Sequence, residues 1–83
     1  MIGRRFISAT KKPLLASDLD AAVEIVRSAG SNVHDADLDR DGRGWITVRV
    51  DDPASIEAAV EAVQIALGED WDVQPGAKWA VDV

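Results

Sequence analysis

Residues 31–52, SNVHDADLDRDGRGWITVRVDD, restrict the fold more than any other stretch of the chain. Ile46, Val48 and Val50 alternate with Trp45, Thr47 and Arg49, a period of two that belongs to a half-buried strand. Upstream, Ala36 and Leu38 alternate with Asp35, Asp37 and Asp39. Between the arms lies Arg40-Asp41-Gly42-Arg43-Gly44, a polar stretch whose two glycines accept positive φ. The reading is a β-hairpin. Facing Leu38 with Ile46 places Ala36 against Val48 and His34 against Val50 on a core side. It sets Asp39, Asp37 and Asp35 opposite Trp45, Thr47 and Arg49 on the outer side. A slip of one residue would drive three carboxylates into the core, so the choice of face is strongly specified. The outer side then carries acids roughly 6.8 Å apart along the strand.

The flanking segments supply the remaining elements. Residues 2–9 read as a first strand with Phe6 and Ile7 as its strongest apolar positions, and residues 10–16, broken by Pro13, as a loop. Ser17 is the expected N-cap of a first helix, with Asp18 and Asp20 in its first turn. Leu19, Ala22, Val23, Val26 and Ala29 make one apolar stripe, widened by Ile25, and Gly30 stands at the stop position. Past the hairpin, Asp52-Pro53 opens a second helix. Its stripe is Ile56, Ala59, Val60, Val63 and Leu67, and Gly68 closes it. Trp71 and Val73 alternate in a short strand, Pro75-Gly76 turns the chain, and Trp79, Val81 and Val83 alternate in a last strand.

This order, β-α-β-β-α-β with one extra terminal strand, resembles the split βαβ, or ferredoxin-like, arrangement. The resemblance implies one α+β domain over residues 1–83. Its two helices would cover one face of an antiparallel sheet and leave the other to solvent. The aspartate-bearing strand would lie at an edge. The chain has no cysteine, so no disulfide or thiolate metal site contributes and the core must be aliphatic. The same absence agrees with a reducing, cytoplasmic setting.

The net charge of −6 is unevenly spread. Residues 1–12 carry Arg4, Arg5, Lys11 and Lys12 and no acid, whereas residues 13–83 carry five basic and fifteen acidic residues. Such a body is repelled by nucleic acid and by anionic membrane and is drawn to basic partners. No apolar run reaches membrane-spanning length. Arg4-Arg5 is not followed by the long apolar segment that a twin-arginine export signal requires.

Catalysis finds little to stand on. The single histidine, His34, falls on the expected core side, there is no thiol nucleophile, and no serine occupies a nucleophile turn. The six glycines form no phosphate-cradling loop. No cofactor and no metal is expected. Asp37-Leu38-Asp39-Arg40-Asp41-Gly42 begins like an EF-hand loop, but the twelfth position, where a bidentate glutamate belongs, is Val48. Weak calcium binding by the hairpin is therefore a minor alternative. The element order also resembles that of amino-acid-sensing ACT domains. In place of the glycine-containing loop such a module would want after the first strand stands Thr10-Lys11-Lys12-Pro13.

What remains is a stiff row of charge. Asp35, Asp37, Asp39 and Asp41, with Asp51 and Asp52 near the other end of the hairpin and Trp45 as an aromatic anchor, make a candidate partner-binding surface. Duplex nucleic acid is likewise a line of regularly placed negative charge. A small, cysteine-free, acidic α/β chain with the run DADLDRD resembles some phage-encoded anti-CRISPR and other anti-host inhibitors. That resemblance implies an acidic inhibitor occupying a basic nucleic-acid-binding surface of a partner complex, with no direct contact to nucleic acid itself. The plainer alternative is that charges on an edge strand prevent edge-to-edge aggregation, with Arg49 neutralising Asp35 across the pair.

Overall fold

The computed structural model describes residues 6–76. Arg4, Arg5 and the last strand expected around Trp79, Val81 and Val83 lie outside the described residues. Within them the chain forms β1 (Phe6–Lys11), α1 (Ala16–Ser28), β2 (Asn32–Leu38), β3 (Gly44–Arg49), a 3-10 turn (Pro53–Ser55), α2 (Ile56–Leu67) and β4 (Asp72–Pro75). The sheet order is β2-β3-β1-β4 and every pairing is antiparallel. This is the α+β, ferredoxin-like arrangement, and it puts β2 at an edge. The first strand runs two residues further than the apolar pattern suggests, to Lys11, because β3 supplies pairing partners as far as Gly44.

Alternation sorts the side chains into two layers. Ile7 and Ala9 from β1, Ile46 and Val48 from β3, and Val73 from β4 pack with Leu19, Ala22 and Val26 of α1 and Val63 of α2 in one core, joined by Leu14, Val50 and Trp71. Both helices therefore lie on one face of the sheet. Ile7, Ile46, Val26 and Val63 are fully buried, each contributing roughly 1.5–3 kcal/mol relative to exposure.

The helix ends show which signals governed. α1 starts one residue before the expected cap, with Leu15 in extended conformation at the N-cap and no side-chain cap bond. Ser17 thus lies inside the first turn, where Asp18 still meets the positive end of the dipole. At the other end Gly30 has φ +90°. Its N–H donates to the carbonyl of Arg27 at 2.9 Å, and Ser31 N–H donates to that of Val26 at 3.2 Å. This pair of bonds is a Schellman stop. Ile25 is 47% exposed and Ala29, past the helix end, is exposed, so the buried stripe is narrower than expected. Asp52 does cap the second helical segment: Oδ1 accepts from Ala54 N–H at 3.0 Å. The entry is a 3-10 turn, and α-helix begins at Ile56. Gln64 Nε2 donates to the carbonyls of Gly68 at 2.8 Å and Trp71 at 2.7 Å, latching the end of α2 to the start of β4.

The hairpin corrects the expected register. Leu38 faces Gly44, Asp37 faces Trp45, Ala36 faces Ile46 and Asp35 faces Thr47, a shift of two residues that keeps residues 35–38 and 45–47 on their expected faces. The cause is the loop. Asp39 N–H donates to Arg43 O at 2.9 Å and Gly42 N–H to Asp39 O at 3.3 Å, leaving three loop residues with Gly42 at φ +83°, a favoured hairpin geometry. A bulge between Val33 and Asp35 then moves Val33 onto Val48 and Asn32 onto Arg49. His34, expected in the core opposite Val50, is the bulged residue. It is exposed, with its ring 4.8 Å from that of Phe6 and tilted by 58°. Since β3 lies between β1 and β2, this ring pair bridges across β3 on the face away from the helices.

That face is not open at its centre. Thr47 is fully buried, Ser8 is 7% exposed and Phe6 9%. The Ser8 hydroxyl donates to Gly76 O at 2.6 Å. Among the described residues Thr47 Oγ1 has no hydrogen-bond partner.

Candidate docking face

The register arranges the outer face in rows across the sheet. One row runs Asp37, Trp45, Thr10, Asp72 from β2 through β3 and β1 to β4. The next runs Asp35, Thr47, Ser8, Gln74. At strand spacings of about 4.8 Å, the two carboxylate-bearing ends of the first row stand about 14 Å apart. Trp45, half-buried, is their neighbour on the β2 side. Asp35, Asp37 and Asp72 are exposed. Sequence reading missed Asp72 as part of this face, because its place depends on β4 pairing with β1 rather than on any local motif.

The acids of the hairpin fall into three groups. Asp35 and Asp37 stand on the strand. Asp35 Oδ1 accepts the N–H of Ala36 at 2.9 Å and Asp37 Oδ1 that of Leu38 at 2.8 Å, which holds each carboxylate along the strand edge. Asp39 leaves the strand, and its Oδ1 accepts from Asp41 N–H at 2.9 Å and Arg43 N–H at 3.0 Å. Its carboxylate therefore organises the loop, while Asp41 is exposed at the loop's tip. Asp51 and Asp52 sit beyond the far end of β3. Asp51 meets Arg49 Nε at 3.9 Å and Asp52 is the cap described above. Arg49 is thus paired with Asp51 and faces Asn32, not Asp35 as expected. The structure brings Asp35, Asp37 and Trp45 together, puts Asp39 and Asp41 on the adjoining loop, and sets Asp51 and Asp52 at the other end.

The EF-hand-like start does not wrap into a cation loop. Asp37 lies on a strand and Asp39 turns onto backbone N–H groups. Among the described residues no group of three or more His, Asp or Glu side chains is arranged to hold a metal ion. Among the same residues no helix is long and apolar enough to cross a membrane. A separate cleft of about 250 Å³ lies between α1 and the end of α2, floored by Leu14, Ala22, Leu67 and Trp71 with Lys11 and Asp18 at its rim.

Comparison of the chain with protein-family models, with curated proteins and with solved structures finds no match in any of the three.

Proposed function

We propose that this chain is a non-enzymatic, acidic interaction protein, acting in the cytoplasm, that occupies a basic nucleic-acid-binding surface of a partner complex. The observation that carries the reading is the outer-face geometry: Asp35 and Asp37 fixed against their own strand, with Trp45 directly across from Asp37. Carboxylates already held in place lose little freedom on docking, and a flanking aromatic supplies apolar contact area of the kind that dominates interface energetics. Asp41 on the loop extends the same sign of charge. Asp51 and Asp52 lie at the periphery of such a contact. His34 supports no general-base role in this reading, since its ring rests on Phe6.

The test is competition. A partner captured from lysate by the wild-type chain should release it when duplex DNA is added, and the affinity should fall steeply with salt. Reversing Asp35 and Asp37 to lysine should abolish capture while leaving the melting curve nearly unchanged. Unchanged capture by that double variant would reduce the row to edge protection.

A further inference from the structure

We propose that the cleft lined by Thr10, Lys11, Lys12, Arg43, Asp70 and Asp72 is a binding site for a small polyol phosphate. It is an open cleft of about 280 Å³ at one end of the sheet, close to the lower limit of small-molecule pockets. The site does not rest on the acidic-face reading, and it uses the cations which that reading leaves unexplained.

Charge is the first argument. In a chain of net charge −6, three cations converge on one cleft. Among the described residues none of the three forms an ion pair with a carboxylate. Asp70 and Asp72 offset part of that charge, so the lining keeps one net positive charge, and a bound anion relieves the remainder. Arg43 supplies a planar fork suited to two phosphate oxygens, Lys11 and Lys12 supply point charges, and the Thr10 hydroxyl supplies a further donor.

The two carboxylates narrow the ligand. Asp70 and Asp72 accept hydrogen bonds and cannot donate when ionised, so they oppose a bare phosphate and favour hydroxyl groups attached to it. Asp72 is held for this task, since its Oδ1 accepts from Gln74 Nε2 at 2.8 Å.

Rigidity is the third argument. Asp39 fixes the Arg43 backbone through both its N–H and its carbonyl. Leu14 N–H donates to Gly42 O at 2.8 Å, tying the loop that carries Lys12 to the loop that carries Arg43. Thr10 and Asp72 are register partners across β1 and β4. Thr10, Arg43 and Asp72 therefore project from backbone that is already locked, which lowers the ordering cost of binding.

Amide NMR spectra of the full chain, titrated in parallel with glycerol phosphate, inorganic phosphate and glycerol, test the proposal. Glycerol phosphate should give saturable shifts centred on residues 10–12, 43 and 70–72. Inorganic phosphate should bind about tenfold more weakly, and glycerol should have no effect. Arg43→Gln should weaken glycerol phosphate about tenfold, and Asp72→Asn should weaken glycerol phosphate without weakening inorganic phosphate. Both positions are exposed, and dispersed spectra establish that each variant is folded. No saturation by about 20 mM, shifts spread over the whole surface, equal binding of inorganic phosphate, or an Arg43→Gln variant that binds like wild type would each overturn it.

Discussion

The N–H of Leu38 donates to the carboxylate of Asp37, its own preceding residue, at 2.8 Å, and Ala36 repeats the relationship with Asp35 at 2.9 Å. The bond from Asp39 N–H to Arg43 O shows that Asp39, and with it Asp37 and Asp35, turn their N–H groups toward β3. The N–H groups of Ala36 and Leu38 therefore point out along the free edge, and the aspartates cover them. An uncovered edge donor is a template for another strand. Replacing Asp35 and Asp37 together by alanine should leave the fold within about 0.5 kcal/mol of wild type while producing concentration-dependent self-association in sedimentation velocity. Asparagine at both sites, which keeps an acceptor but not the charge, should associate less than alanine. A monomeric double-alanine variant at high concentration contradicts the capping role.

Asp39 acts on the loop rather than the edge. Its Oδ1 satisfies the N–H groups of Asp41 and Arg43 together. Asp39→Ala should cost about 1 kcal/mol in chemical denaturation, and Asp39→Asn should recover most of that loss. Because Arg43 hangs from the same loop, the alanine variant should also broaden its amide signal.

Gly44 is a packing requirement. A Cβ at this position would collide with the Leu14 side chain and lie 3.0 Å from Leu38 Cδ2, and Leu14 is itself 6% exposed. Gly44→Ala should destabilise by about 1–3 kcal/mol, the range typical of overpacking a filled core. Pairing it with Leu14→Ala should recover part of the loss, a coupling that a double-mutant cycle measures directly.

Thr47 offers the opposite outcome. Its Oγ1 is buried with no partner among the described residues, and an unsatisfied buried hydroxyl costs about 1–3 kcal/mol. Thr47→Val keeps the branched shape and removes the polar atom. It should raise the denaturation midpoint, by about 1 kcal/mol in stability, and a fall instead would mean that the hydroxyl is hydrogen-bonded in solution.

Period-two alternation placed Ile46, Val48 and Val50 on the core side and Trp45, Thr47 and Arg49 on the other, and the glycine stop of the first helix was equally readable. These depend on local geometry alone. The register of the hairpin was not readable to the residue, since both pairings of Leu38, with Ile46 or with Gly44, keep the same faces. Only the hydrogen bonding of Asp39 and Gly42 separates them. The bulge at His34 was hidden for a related reason: counting along a strand assumes no extra residue. Of the outer face, Asp35, Asp37 and Trp45 were visible as a pattern, whereas Asp72 joined them only through strand pairing. The convergence of Arg43 with Lys11 and Lys12 likewise follows from Lys11 pairing with Gly44 across β1 and β3. That is a consequence of the topology rather than of any motif.

The bond from Leu14 N–H to Gly42 O, with the absent side chain at Gly44 beneath it, makes the turn after the first strand and the tip of the hairpin a single mechanical unit. Neither is a free site for lengthening. An epitope tag or a fluorescent graft placed among residues 40–42 would unseat Leu14 from the core as well as open the hairpin. Variation in length at this end of the molecule must therefore occur in both turns at once, or in neither.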